Sequence, residues 1–192
     1  DDELAGDLLS AARLHDWGKA HAAFQGRLAD SARPPEWQGR LDVAKAPDPA
    51  WSVSPRRHFR HELAGALACL RVGYSDRVAY LVACHHGKVR LTLRSLAGET
   101  LPTDRAQCFC RGIWDGDELP SVPLGGGEMS PPVVLSLESM EMGLDPDQGA
   151  SWADRMLAVL REEGPLRLAW MEAILRAADA RASADDSEVL HG

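Results

Sequence analysis

Residues 11–25 read AARLHDWGKAHAAFQ. Leu4, Leu8, Ala11 and Ala12 fall at helical spacing, so the stretch opens as the end of an amphipathic helix. His15 and Asp16 stand where that helix should finish, Gly18-Lys19 follow, and Ala23, Phe24 and Leu28 resume the pattern from Ala20 to Leu28. The pattern reads as helix, break at Gly18, helix. A His-Asp pair at a helix end is common, so its meaning depends on what the rest of the chain supplies.

A chain of 192 residues suits one domain spanning 1–192, because that length buries a sizeable core without disulfides or a structural metal. Hydrophobic residues make up 45% and charged residues 26%, the balance of a globular protein. No apolar run approaches the roughly 18 residues of a membrane span, so no membrane partner is expected. The chain opens Asp1-Asp2 without Met, as a fragment or processed chain would, and shows no secretory leader. Cys69, Cys84, Cys108 and Cys110 are too few and too unevenly placed for a disulfide framework, which fits a reducing cytoplasm. Cys69 and Cys84 lie in apolar helical runs, where Cys acts as a small hydrophobe. Cys108-Phe109-Cys110 has the form of half a zinc site, but no second pair follows at the usual spacing. The net charge of -8 argues against electrostatic capture of nucleic acid by this chain alone. Carboxylates gathered around bound cations would reconcile an acidic chain with a phosphate substrate.

Residues 33–55 hold five prolines and no sustained period, and read as a surface excursion. Ser54-Pro55 then offers an N-cap and a proline at the first helical position, and Leu63, Leu67 and Leu70 extend a stripe to about Arg71. A second helix starts near Ser75-Asp76, runs through Val78, Leu81 and Val82, and stops at His85-His86-Gly87, with Gly87 as its left-handed cap. From Lys88 to Gly149 the pattern loosens. Gly125-Gly126-Gly127, Pro131-Pro132 and a β-like run from Val133 to Leu137 predict irregular structure with room for one small β-hairpin. Two helices close the chain, Ser151 to Glu163 and Pro165 to about Ser183, the latter with Leu168, Met171, Ile174, Leu175 and Ala178 facing the core. The expected fold is mainly α: a helical bundle with a long irregular insertion over residues 88–149.

Six polar residues sit in these apolar helices, near their ends or on their buried sides: His15, Asp16, His61, His85, His86 and Asp179. Burying such groups costs a few kcal/mol each unless they are paired or bound to metal. Imidazole and carboxylate together suit Mn, Fe, Co, Ni or Zn, and an aspartate can bridge two cations. A two-cation site makes a hydroxide at neutral pH and clamps both oxygens of a phosphoryl transfer. Lys19, beyond Gly18, is then placed to meet a phosphate oxygen as a point charge.

Plainer readings stand beside this one. A single His on an apolar face is usually a satisfied core residue, and His85-His86 could be cations favoured by the helix dipole. His58 lies one turn before His61 and competes with it, but His61 is preferred because Glu62 and an apolar run follow. His21 and His191 are expected in solvent. Trp37, Trp51, Trp114, Trp152 and Trp170 are expected to pack in the core or at its rim, while Trp17 could pack or stack on a base.

The segments HDWGKAHAAFQ, RHFRHELAGALA, CHHG and ADARAS, in that order, resemble the HD superfamily of metal-dependent phosphohydrolases. More narrowly, they resemble the HD nuclease domain of the CRISPR type I effector, which accompanies a helicase. The resemblance covers the helices between Leu4 and Ser183 and leaves the segment from Lys88 to Gly149 unexplained. It implies an HD-domain-like bundle in which Asp16 bridges two divalent cations drawn from Mn, Ni, Co, Fe or Mg. His61, His85 and His86 would hold one cation, and His15 and Asp179 the other. Lys19 and Ser183 match positions near the substrate phosphate. Two departures stand out: the family's metal-binding histidine upstream of the HD pair has no counterpart before His15, and its small polar residue after the His-Glu pair is replaced by Ala64 or Gly65.

The expected function is therefore hydrolysis of single-stranded DNA phosphodiesters during CRISPR type I interference, with a helicase domain or subunit and a crRNA-guided surveillance complex as partners. The alternatives are an HD phosphohydrolase acting on a nucleotide or cyclic nucleotide, and a degenerate HD scaffold that binds a partner without chemistry.

Overall fold

Burial is densest in the helix His61–Val72, where every residue from Glu62 to Cys69 is withdrawn from solvent. A helix apolar on all sides must be covered on all sides: this one packs against the helix Asp76–Cys84, the Trp17–Ala20 turn and the strand Val133–Val134, and Asp76–Cys84 in turn meets the first helix and the last two. The computed structural model describes residues 2–27, 39–40, 43–44, 56–140, 144–145 and 149–189, with residues 144–145 and 185–189 described as backbone only.

Among the described residues the α-helices are α1 (Asp2–Leu14), α2 (Ala22–Gln25), α3 (His61–Val72), α4 (Asp76–Cys84), α5 (Trp152–Glu163) and α6 (Pro165–Val189). The fold is mainly α, with only small antiparallel strand pairs. Ser75 caps α4 by accepting from Val78 N at 3.2 Å, and Ser151 caps α5 by accepting from Asp154 N at 3.2 Å; each satisfies an otherwise orphaned donor. Gly73, at φ 93°, turns the chain out of α3. Ala11 and Leu14 of α1, Leu63 and Leu67 of α3, Leu81 and Val82 of α4, Trp152 and Met156 of α5, and Met171 and Leu175 of α6 meet in one core. Arg77 ties three helices together. From α4 its guanidinium reaches Asp7 of α1 at 2.7 Å and Glu163 of α5 at 2.6 Å.

Several sequence expectations change. The helix expected from Ser54-Pro55 begins at His61, since residues 56–60 turn and then extend, with His58 at φ 65° and Arg60 N donating to Arg111 O; Ser54 and Pro55 lie outside the described residues, as does most of the 33–55 segment. The break in the first helical run comes earlier than Gly18. His15-Asp16 form a turn, Trp17–Ala20 a 3₁₀ turn, and α2 is a single short helix. The last helix runs past Ser183 to Val189, and Ile174 and Ala178 face outward, whereas Glu172 is buried. That exchange has a cause: Glu172 accepts from Tyr80 Oη and Arg90 Nη2, both at 2.7 Å, so its carboxylate is satisfied inside.

Among the described residues the insertion and its border hold four antiparallel ladders, where the sequence left room for one hairpin. They pair β1 (Phe109–Cys110) with β2 (Ile113–Trp114), β3 (Glu118–Leu119) with β6 (Val133–Val134), β4 (Pro123–Gly125) with β5 (Glu128–Met129), and β7 (Leu144–Asp145) with β8 (Gly149–Ala150). Each strand is two or three residues long, too short to show alternation in sequence. Arg111-Gly112, both at positive φ, form the β1–β2 turn. A side chain on Gly112 would stand 2.5 Å from the Phe59 Cα, so this turn presses directly on the entry to α3. Cys110, Ile113, Leu119, Leu135 and Leu137 join the helical core, and the insertion is packed rather than draped.

Candidate metal centre

The HD turn and the start of α3 can meet because of Gly18. A Cβ there would lie 1.9 Å from the His61 carbonyl oxygen and 2.8 Å from Gly65 N. Gly65 stands at the matching place on α3, where an added Cβ would touch Gly18 N at 3.4 Å and Leu14 O at 3.5 Å. The glycine after the His-Asp pair is therefore a contact point, and it brings Asp16 Oδ1 to 3.5 Å from His61 Nε2. The position where a small polar residue was expected is filled by this glycine-to-glycine approach.

Four imidazoles gather beside Asp16. His85 and His86 follow the end of α4 in the turn that leads to Gly87, at φ 68°. Ring centroids are 5.2 Å apart for His15–His85, 5.4 Å for His61–His85, 5.0 Å for His61–His86 and 4.0 Å for His85–His86. His15 Nδ1 lies 2.8 Å from Ala12 O, and His85 Nδ1 lies 2.7 Å from Val82 O. A carbonyl only accepts, so in both rings Nδ1 carries the hydrogen and the neutral ring keeps its lone pair on Nε2. The Nε2 atoms of His15, His61 and His85 are all buried and lack a hydrogen-bond partner. Unpaired buried acceptors are costly, and imidazoles fixed through the other nitrogen are the arrangement metal sites use.

Two groups of donor atoms result, each lying within 4.8 Å of one another: His61, His85 and His86 in one, His15, Asp16 and Asp179 in the other. Asp179, on α6, places Oδ1 3.3 Å from His15 Nε2. Asp16 faces both groups, with Oδ2 at 3.5 Å from His15 Nε2 and Oδ1 toward His61. Nitrogen and carboxylate donors in this number fit divalent transition metals.

The charges agree with that role. Burial would raise the Asp16 carboxyl, but the His61 ring 3.5 Å away and the Lys19 ammonium outweigh it and hold the group well below the usual carboxylate range. Burial pushes His85 down to about 3, opposed by its bond to Val82 and reinforced by His86, His61 and His15. His86 is lowered as well, by burial first and by His61 next. Both rings are therefore neutral at pH 7 with lone pairs to give.

The remaining sequence candidates divide. Lys19 is held: its Nζ donates to Asp16 Oδ2 at 2.7 Å, so in this state it is paired with the carboxylate rather than free for a phosphate. Ser183 is exposed on α6, one turn beyond Asp179 and on the same face. His58 is exposed and outside both donor groups. Trp17 is 3% exposed and packs in the core, not as a stacking platform. Trp152 is buried too, whereas Trp170 is exposed, and Trp37, Trp51 and His191 lie outside the described residues. Cys108 is exposed and Cys110 buried, and neither belongs to the donor groups found among the described residues.

His21 corrects the sequence reading. It is 2% exposed, not solvated: Nδ1 accepts from Ala23 N at 3.0 Å, capping α2, and Nε2 faces Asp117 Oδ2 at 3.0 Å. Asp117 also pairs with Arg56 and accepts from Trp114 N at 2.7 Å. A partner nearly a hundred positions away leaves no local signal, so the sequence showed only a polar residue between alanines. Glu62 was also read only as a motif companion of His61. It is 1% exposed, with one carboxylate oxygen 3.6 Å from His61 Nδ1, where it faces the third ring that lacks a backbone clamp.

A family model described as "Cas3, HD domain" matches residues 2–117, a span that takes in His15, Asp16, Lys19, His61, His85 and His86 and stops short of Asp179 and Ser183. Comparison with curated proteins and with solved structures returned no match.

Proposed function

Since the chain belongs to the Cas3 HD domain family, we propose that it is a metal-dependent nuclease that hydrolyses single-stranded DNA phosphodiesters in CRISPR type I interference. In this reading a helicase domain or subunit feeds it the strand, and a crRNA-guided surveillance complex selects the target. One observation carries the proposal: the buried Nε2 atoms of His15 and His61, both without a hydrogen-bond partner, each lie 3.5 Å from the Asp16 carboxylate, and the equally unpartnered Nε2 of His85 is buried beside those two rings.

In this reading His61, His85 and His86 would hold one divalent cation, His15 and Asp179 would hold another, and Asp16, which faces both donor groups, would serve the two. Such a pair supplies a nucleophile from water at neutral pH and neutralises charge on the attacked phosphate. The chain's own contribution is to fix the donors. Ala12 O and Val82 O hold the His15 and His85 rings in one tautomer, and Gly18 sets the distance from the HD turn to α3. Lys19, paired with Asp16 here, would meet a phosphate oxygen once that carboxylate is engaged by metal, and Ser183, one turn beyond Asp179 on α6, would stand near the substrate phosphate. Among the described residues no helix is long and apolar enough to cross a membrane, and all four cysteines are free, which suits the cytoplasm.

The test uses protein stripped with EDTA and given Mn, Ni, Co, Fe, Mg or Zn in turn, with circular single-stranded DNA and a panel of nucleotides as substrates. Metal-dependent linearisation, absent from Asp16→Ala, is the expected result. Nucleotide hydrolysis without DNA cutting would move the activity to a phosphohydrolase. Silence with every metal would leave a binding scaffold.

A further inference from the structure

A cavity of about 460 Å³ opens beside the metal centre, walled by His61 and His86 and carrying Lys19, Arg27, Arg60 and Lys88. Four cations lining one cavity run against a chain whose net charge is -8. Lys19 is matched by Asp16. The acid in that wall, Glu62, is 1% exposed, with its carboxylate 3.9 Å from Arg60 Nε. Lys88, exposed to solvent, adds a positive charge beyond those that Asp16 and Glu62 balance. Arg60 directly precedes His61 and Lys88 follows His86 by two residues, so the backbone that sets the imidazoles also sets these cations. A second cavity of about 120 Å³ lies on the other side of Asp16, and Lys19 lines both. Its own arginine, Arg13, is engaged by Glu128 at 3.0 Å, and Trp17, Val122 and Leu124 also line it.

We propose that the larger cavity is a phosphate track for single-stranded DNA, in which Arg60 and Lys88 grip backbone phosphates adjoining the one under attack, on the His86 side. The proposal rests on the nuclease reading and deepens it. Contacts to phosphates beyond the one under attack are open to a strand and not to a nucleoside monophosphate, which carries only the one. Phosphate contacts position a strand without reading its sequence, and a short local track in an acidic chain holds a strand that a partner delivers.

The experiment measures binding of fluorescein-labelled oligothymidylate by anisotropy, in EDTA, across a salt series, for the parent, Lys88→Ala, Arg60→Gln and the double variant. Arg71→Ala, exposed at the far end of α3, is the control. Each track cation removed should lower the salt slope by about 0.7, while Arg71→Ala keeps the parent slope. Lys88 is exposed, so its variant folds, and Co(II) absorption of every variant reports whether the metal donors remain in place. A parent that binds the strand with variants of unchanged slope overturns the track and leaves the nuclease reading standing. Reduced slopes in a protein that never linearises circular DNA support the track and overturn the nuclease. A parent without salt-dependent strand binding overturns the track outright, whatever it does to nucleotides.

Discussion

His15 and His85 meet edge to face with ring centroids 5.2 Å apart, each pinned through Nδ1 to the carbonyl three residues before it. Two helices thus end in the same way, and their ends meet. The pinned nitrogens leave both Nε2 atoms bare in the interior, so the protein without metal carries an unmet demand for an electrophile at this point.

Metal should therefore stabilise the fold. A cation that binds only the folded chain adds about 2.7 kcal/mol at a free concentration a hundred times its Kd. Thermal unfolding of EDTA-stripped protein titrated with Mn or Co should show a rising Tm, and His85→Ala should abolish most of the rise. An equal rise in both proteins would place the binding elsewhere.

Gly18→Ala should be severe and Gly6→Ala mild. At Gly18 the new methyl collides with backbone on α3, so overpacking should cost about 3 kcal/mol or more and scatter the Asp16–His61 pair. At Gly6, inside α1, nothing lies within 4 Å of the added carbon, and the helix should gain about 0.5–1 kcal/mol. Urea unfolding of the two variants checks both signs.

Acid should reveal Asp117. Burial opposes its ionisation, but His21, Arg56 and Trp114 N hold its pKa below the ordinary 3.8. A carboxyl lowered in the folded state adds stability that is complete above the unfolded value and is lost as pH falls through the folded one. Asp117→Asn should lower stability at neutral pH and flatten its decline below about pH 4. Denaturant midpoints across pH for the two proteins would expose the idea as wrong if the curves ran parallel.

Arg176 should matter to metal affinity without touching metal. Its Nε donates to His85 O at 2.9 Å, and its guanidinium fills the space beside Gly87. Partners that orient metal ligands are worth roughly 10- to 100-fold in affinity. Arg176→Ala should weaken Co(II) binding by about tenfold, read by competition with a chelating dye, and Arg176→Lys should recover part of it.

The candidate donors were legible in the sequence because each is a polar residue in an apolar helical context, a signal that survives without knowing the partner. His15 and Asp16 end one such run, and His85 and His86 end another. What the sequence withheld was anything settled by distant contact. Nothing local to His21 announces Asp117, and the strands of the insertion are too short for alternation to show, so Glu118–Leu119 could not be matched to Val133–Val134 in advance. Ile174 and Glu172 exchanged expected places because Tyr80 and Arg90, from another part of the chain, make the interior hospitable to a carboxylate. Ser54-Pro55 had every mark of a helix start, but the turn at 56–60 and the contact between Phe59 and Gly112 delay α3 to His61.

The order of these residues along the chain has a consequence for synthesis. Domains fold from the N-terminal side as the ribosome releases them. The group formed by His61, His85 and His86 can assemble once α4 has emerged, but the group that contains His15 and Asp16 waits for Asp179 on α6. A nascent chain still tethered short of α6 therefore holds one of the two donor groups and lacks the Asp179 that completes the other.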